Sequence, residues 1–537
     1  MDGPWLDGLA LSALASTTMK HAPREFSSGR PGIRLPATDG AQSTACPAER
    51  ARAASLMLGG LLCLAALPGP ALAEGLAGRR PNIVLILTDD QGYGEIGAHG
   101  NPIIQTPNLD RLHAQSVRFT DFQVSPTCAP TRSALLTGRH EFKNGVTHTI
   151  LERERLTLKA TTIAQVLKSA GYATGIFGKW HLGDEADYQP GQRGFDEVFI
   201  HGAGGIGQTY PGSCGDAPGN EYFNPAVRHN GRFVRTDGYC TDVFFGQALK
   251  WIERRRAAGG PFFAYLTPNA PHDPFISPGP KYEAPYVGQG LSANAVAYYA
   301  MISNIDENVG GLLAALERWQ IATNTLVIFM TDNGHSVRDV FNAGMRGMKG
   351  GPYQGGTRVP AFWRWPGTLD PGERPQLAAH LDMFPTLANL AGATLCPEVS
   401  AQVEGRSLVP LLEDAAAPWP DRFLVTHVGR WPRGLAAEWK HRQYSIRSSR
   451  FRLVNDAELY DLRADPGETR NVLVDHSDVV TSLRTAYDAW WESVLPGLVN
   501  ELVIGPDVNP FKAAYWAQFG GGPDEAMRRL MDPARFR

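Results

Sequence analysis

Net charge is scarce in this sequence. Its 51 Lys and Arg are offset by 54 Asp and Glu, leaving −3 at pH 7 over 537 residues. No global basic field points to nucleic acid, although positive charge gathered at one site is still allowed. Long apolar runs are missing as well. The stretch from Ala53 to Leu67 is too short for a comfortable membrane span. Cysteine is sparse, with six in all, and no internal repeat stands out. Apolar and charged fractions of 43% and 20% are those of a soluble globular protein. One large α/β domain can absorb much of this length.

The first 80 residues stand apart. Residues 1–52 are rich in Ala, Gly, Ser and Pro without sustained periodicity, and read as disordered or as lying upstream of the true start. Arg50 and Arg52 then precede the apolar run, followed by Pro68-Gly69-Pro70 and Ala71-Leu72-Ala73. A basic flank, a short apolar core and a small-x-small site make a secretory signal over 53–73. The expectation is a mature chain from about Glu74, exported to a periplasm or secreted. No small residue precedes Cys63, which argues against a lipid-anchored start. The remaining cysteines are Cys128, Cys214, Cys240 and Cys396. In an oxidising compartment Cys214 and Cys240 could form a disulfide, whereas Cys396 has no obvious partner.

The chain alternates strands and helices. Asn82 to Leu87 is a continuous apolar, β-branched run, as in a strand buried on both faces. Further strands are predicted at 173–177, 262–266 and 326–330, with helices near 162–170, 242–256 and 293–318. That alternation argues for a mostly parallel α/β sheet. Residues 184–240, rich in Gly, Pro and aromatics, read as long loops near a site. Pro418-Trp419-Pro420 is a boundary signal. It divides a catalytic domain over 80–417 from a smaller α+β domain over 418–537. The smaller one carries short strands at 422–426, 443–447, 451–454 and 458–462. A helix near 478–493 follows, with Val479, Leu483, Tyr487 and Trp490 on one face.

Four buried strands end in polar clusters: Asp89-Asp90, Lys179 with His181, His272, and Asp332-Asn333. Ligands in open α/β sheets bind off the carboxyl ends of strands, so one site built from all four is the economical reading. Asp89, Asp90, Asp332 and Asn333 offer hard oxygen ligands, suited to Ca²⁺ or Mg²⁺ rather than zinc. His181 and His272 are placed for general acid and base work. Lys179, Lys349 and Arg132 would together form a cationic pocket for an oxygen-rich anion.

The stretch Ser125 to Arg139 unites these elements. It reads as a loop turning into a short helix, with Pro130 suited to a first turn and Gly138 to a left-handed stop. Cys128 then lies just before a helix N-terminus that favours anions, and Arg132 follows one turn later.

Cys128-x-Pro130-x-Arg132 followed by Thr137-Gly138 resembles the signature of the sulfatase family, whose fold is alkaline-phosphatase-like. The resemblance extends through Asp89-Asp90, Gly178-Lys179-Trp180-His181, Pro271-His272, Thr331-Asp332-Asn333-Gly334, Lys349, Gly355 to Pro360 and Glu458 to Leu462. It implies a central mostly parallel sheet flanked by helices, with a smaller C-terminal α+β part holding a short antiparallel sheet. It also implies hydrolysis of aryl or carbohydrate sulfate monoesters. Cys128 would be oxidised to formylglycine by a maturation enzyme, and its hydrate would be the nucleophile, held by Arg132. Asp89, Asp90, Asp332, Asn333 and residue 128 itself would bind Ca²⁺, or Mg²⁺ in its place. Lys179 and Lys349 would neutralise the sulfate, His272 would protonate the leaving alcohol, and His181 would help expel sulfate. Glu95 and Gln354 stand where family members often have Asp and Glu.

Two rival readings follow from the same residues. One is a phosphomonoester or phosphonate ester hydrolase on the same fold, which a second His/Asp ligand cluster would have favoured. The other is a silent anion- or glycan-binding protein with an unmodified Cys128. His427 and Arg430 are within the smaller domain, where selectivity is expected to reside, with a structural role favoured for both.

Overall fold

A computed structural model describes residues 75–536, and these belong to one compact unit. The signal read over 53–73 and the segment 1–52 lie outside the described residues.

The β-branched run folds as strand β1, Asn82–Thr88, with every residue buried. It is central in a ten-stranded sheet with β2 (Ala173–Lys179), β3 (Phe262–Thr267) and β4 (Thr325–Thr331). The order is β4-β1-β3-β2, continued by Glu197–His201, and all of these neighbours pair in parallel. Antiparallel strands flank this block, Ala361–Arg364 against β4 and Ala226–His229 against Glu197–His201.

Alternation along β1 divides the core. Ile83, Leu85 and Leu87 join one apolar cluster, while Val84 and Ile86 join another. A sheet buried on both faces needs this two-sided cover. Helices Cys128–Thr137 (α1), Ile163–Ser169 and Met383–Leu390 feed the first cluster. Cys240–Ala258 and Ala293–Arg318 feed the second.

Several expectations change in detail. Residues 184–240 are not only loops: Glu197–His201, Ala226–His229 and Arg232–Arg235 extend the main sheet. They are too short, and too interrupted by Gly and Pro, to show a period. Cys128 is the first residue of α1 rather than a residue before it, with extended Thr127 as the cap position. Gly138 ends that helix at φ 69° as expected. The thiols of Cys214 and Cys240 are both free, so the disulfide that the sequence left possible does not form. Cys214 faces the Thr149 carbonyl at 3.8 Å, whereas Cys240 opens a helix within the second apolar cluster.

A four-stranded antiparallel sheet, Leu424–His427, Tyr444–Arg447, Phe451–Val454 and Glu458–Asp461, forms the smaller C-terminal element. Helix Ser477–Val494 covers it through Val480, Leu483, Tyr487, Trp491 and Val494. Val479 and Trp490, read from the sequence as part of that face, sit half-buried beside it, and their neighbours Val480 and Trp491 take the buried places. Phe142 packs into this cluster against Trp431, and Arg447 binds Asp121 through two nitrogens at 2.9 and 2.6 Å. Among the described residues no helix is long and apolar enough to cross a membrane.

Candidate active site

Register brings the acidic residues together. Thr88 pairs directly with Thr331 in the β1–β4 ladder, so Asp89-Asp90 and Asp332-Asn333 leave the sheet side by side. The Asp332 N–H donates to Thr88 O at 3.1 Å, and the Asp90 N–H to Asp332 Oδ1 at 3.1 Å. Asp90 turns with a left-handed φ of 64°, which a short polar side chain tolerates. Asn333 Nδ2 donates to Asp90 Oδ1 at 2.9 Å.

The cations arrive from three other elements. Arg132, one turn into α1, donates to Asp332 Oδ2 from Nε at 3.1 Å and Nη2 at 2.7 Å. Lys179, the last residue of β2, donates to Asp89 Oδ2 at 2.6 Å. Lys349 reaches Asp90 Oδ2 at 2.6 Å from a loop tied to the Cys128 loop, because the Gly350 N–H donates to Pro126 O at 2.8 Å. Asp89, Asp90, Arg132 and Lys179 are fully buried. Three carboxylates and three cations balance, which is what buried charge requires.

The two histidines are fixed differently. His181 Nδ1 lies 3.4 Å from Cys128 Sγ, and its Nε2 donates to Thr149 O at 2.7 Å. His272 donates from Nδ1 to Asp273 O at 2.6 Å, leaving Nε2 toward Asp90 Oδ2 at 3.7 Å. The carbonyl of His272 is gripped by the Tyr222 hydroxyl, which accepts from Asn269 Nδ2 at 2.6 Å.

Burial governs the titration here. It pushes the Cys128 thiol up against the pull of Lys179 and Lys349, so this thiol is not an activated thiolate. Burial, then Asp89, lift Asp332 to about 6. Asp90 is buried too, yet Lys349 and His272 hold it below the usual carboxylate range. Burial and Lys349 bring His272 down to about 4, and burial with Lys179 puts His181 well below its ordinary value.

Asp89 Oδ1 and Asn333 Oδ1 are buried without a hydrogen-bond partner. Asp89, Cys128 and Asp332 bring ligand atoms within 4.8 Å of one another, as do Asp89, Asp90 and His272. Orphaned hard oxygens among three carboxylates fit a divalent hard cation.

All ten sequence-read residues therefore meet at the strand ends. Thr149, Tyr222 and Asn269 went unread. Thr149 and Tyr222 act from irregular segments, and Thr149 acts through its backbone, which no side-chain pattern signals. His427 is structural: it is buried, with Nε2 on Trp439 O at 3.1 Å and Nδ1 accepting from the Gly429 N–H at 2.9 Å. Gln354 and Glu95 are buried outside the contacts above. Gln354 Oε1 accepts from Gln123 and Arg452, while burial raises Glu95 to about 8.

The fold and this arrangement define a hydrolase of the alkaline-phosphatase-like class. Comparisons with known proteins narrow it. The family model described as Sulfatase matches residues 81–393, and that described as N-sulphoglucosamine sulphohydrolase, C-terminal, matches 349–488. Arylsulfatase A of Homo sapiens is 34% identical over 458 residues, covering 75% of this chain and 85% of its own length. N-acetylgalactosamine-6-sulfatase of Canis lupus familiaris is 32% identical over 374 residues, covering 65% and 69%. The crystal structure of Ps i-CgsB in complex with k-i-k-neocarrahexaose superposes with a TM-score of 0.69 at 25% identity, covering 84% of this chain and all of that one (100%). The chain belongs to the sulfatase family, and its reaction class is sulfuric ester hydrolysis.

Proposed function

We propose that the protein hydrolyses aryl or carbohydrate sulfate monoesters through a formylglycine made from Cys128, with Ca²⁺ held by Asp89, Asp90, Asp332, Asn333 and residue 128. The observation that carries this reading is the fully buried Cys128 thiol, pushed away from ionisation yet placed 3.4 Å from His181 Nδ1. A site that keeps its cysteine protonated suits a converted residue better than a thiolate nucleophile.

When bound, the cation would supply Lewis-acid polarisation of a sulfate oxygen and of the nucleophile. The remaining work falls to the chain. Arg132 orients the hydrate, while Lys179 and Lys349 offset the charge that develops on the sulfuryl oxygens. One hydrate hydroxyl gives its proton to the Asp332 carboxylate, which lies beside residue 128, and attacks sulfur; the S–O bond to the alcohol breaks, and the departing oxygen takes a proton from His272 Nε2. Burial and Lys349 favour a neutral His272, and an arriving anion favours its charged form. His181 Nδ1, already an acceptor, then takes the proton of the second hydroxyl. The C–O bond to sulfate breaks, and the aldehyde returns.

Sulfated glycans or small molecules are the substrate class, supported by the relative named N-acetylgalactosamine-6-sulfatase and by the oligosaccharide-bound structure. In this reading residues 80–417 carry the chemistry and 418–537 shape the entrance. A maturation enzyme acts on Cys128, and the signal over 53–73 directs export. Mass spectrometry of the tryptic peptide containing Cys128, beside an aryl sulfate assay, tests the proposal. The expected result is aldehyde in active protein and no hydrolysis by Cys128→Ala. A fully active protein with an unmodified thiol overturns the mechanism.

A further inference from the structure

Arg430 stands at the entrance of this site with no structural partner that requires its charge. It follows Gly429 in a turn where both residues take left-handed φ, 58° and 67° respectively. A Cβ on Gly429 would meet Thr147 O at 2.0 Å, and the Arg430 N–H donates to the same carbonyl at 3.1 Å. The turn is therefore pressed against the 147–149 segment. Arg430 Nη2 donates to Thr149 Oγ1 at 3.2 Å, and the carbonyl of that same Thr149 holds His181. The guanidinium is thus one residue removed from a ring 3.4 Å from Cys128.

Among the described residues Arg430 forms no ion pair, and its side chain is exposed. Crowding by the surrounding protein lowers Arg430 from its ordinary value, against the opposing pull of Cys128, Asp90 and Tyr210. Asp273, beside the site, is engaged with His272 Nδ1 at 3.2 Å. An uncompensated guanidinium one residue from the site is a binding element for an anion. Its planar fork matches carboxylate and sulfate oxygens bidentately. A non-glycine residue at positive φ is uncommon, and such strain gathers at ligand clamps.

We propose that Arg430 is a specificity-determining residue that selects sulfate esters bearing a second anionic group, a carboxylate or another sulfate, beside the scissile one. This rests on the sulfatase reading above. Hydrogen bonds to charged groups of this kind are worth about 10–100-fold in binding.

The test uses three matched sulfated disaccharides: one with no other charge, one with a uronate carboxylate and one with a second sulfate. Arg430→Asn suits the left-handed backbone, and Arg430→Lys keeps the charge without the fork. In wild-type protein kcat/KM is expected to be higher for an anionic disaccharide than for the neutral one. In Arg430→Asn the anionic-to-neutral ratio falls about 10–100-fold, through KM rather than kcat, with Arg430→Lys intermediate. The arm that moves tells carboxylate from sulfate. Thr149→Val, which removes the hydroxyl contact but keeps the charge, holds the ratio within about threefold. An unchanged ratio in Arg430→Asn overturns the inference. Should the wild type hydrolyse none of the three, the sulfatase reading fails instead. Calorimetric binding of the same disaccharides to Cys128→Ala, with and without Arg430→Asn, then decides on Arg430 alone: loss of the anionic preference upholds it, and equal affinities overturn it.

Discussion

His181 Nδ1 lies 3.4 Å from Cys128 Sγ while Nε2 of the same ring lies 2.7 Å from Thr149 O. A carbonyl only accepts, so Nε2 carries the proton and Nδ1 turns a lone pair toward residue 128. Burial and the charge of Lys179 keep the ring neutral. The tautomer is thus set by a backbone contact, and the nucleophile position faces a base.

In the proposed mechanism that arrangement puts His181 in the release of sulfate rather than in the first attack. His181→Ala is expected to lower steady-state kcat by about 10²–10⁴-fold. It should retain a burst of about one alcohol per enzyme, because the first transfer still occurs. Stopped-flow assay with an aryl sulfate reads this directly. A slow first turnover without a burst places His181 in the earlier step.

Gly178 precedes Lys179 at the end of β2 and has a φ of 120°. A Cβ there would meet Thr267 O at 1.9 Å and its carbonyl carbon at 2.5 Å, both backbone atoms of β3. Neither strand can yield without moving Lys179 from Asp89. Gly178→Ala is expected to destabilise by about 3 kcal/mol or more, since strain and overpacking add. The folded fraction should lose activity as well. Denaturant unfolding beside an aryl sulfate assay checks both; a stable, active variant would contradict the close approach.

Much of this site was legible because chemistry at strand ends is local. Thr88-Asp89-Asp90 and Thr331-Asp332-Asn333 each end a strand visible as an apolar run, and the Thr88–Thr331 register makes them neighbours. The helix beginning at Cys128 was marked by Pro130 and Gly138. What stayed hidden was held by backbone or by tertiary contact. Thr149 works through its carbonyl, and Tyr222 reaches His272 from a segment without a period. The strands within 184–240 exist because the edge of the sheet needs pairing partners, which overrides their Gly- and Pro-rich surroundings. The free Cys214 and Cys240 show that sequence spacing alone does not specify a disulfide.

Asp89 Oδ1 and Asn333 Oδ1 are buried without partners, as suits ligands of the proposed cation. Protein stripped with a chelator and returned to Ca²⁺ is expected to gain stability as RT ln(1 + [L]/Kd), about 2.7 kcal/mol at a hundred times Kd. Differential scanning calorimetry shows this as a Tm that climbs with Ca²⁺ concentration. Ca²⁺ should shift Tm more than Mg²⁺, because it accepts irregular oxygen sets where Mg²⁺ demands a near-ideal octahedron. Asp332→Asn should blunt the shift. A Tm indifferent to both ions would remove the metal from the site.

Glu154 provides a test away from the chemistry. It is buried, with Oε1 accepting from Ser213 Oγ at 2.6 Å and Oε2 without a partner. Burial, with Glu152 adding to it, lifts its carboxyl from 4.5 to about 7. A raised carboxyl pKa means the folded state holds the proton more tightly than the unfolded state. Its stabilising contribution is complete below pH 4.5 and fades as pH rises through 7. The amount at stake is about 3 kcal/mol. Glu154→Gln keeps the shape and cannot ionise. Between pH 5 and pH 8 the variant should therefore lose less stability than the wild type, by about 2–3 kcal/mol. Urea unfolding of both proteins at the two pH values measures the difference, and parallel pH profiles would show that Glu154 is already ionised at pH 5.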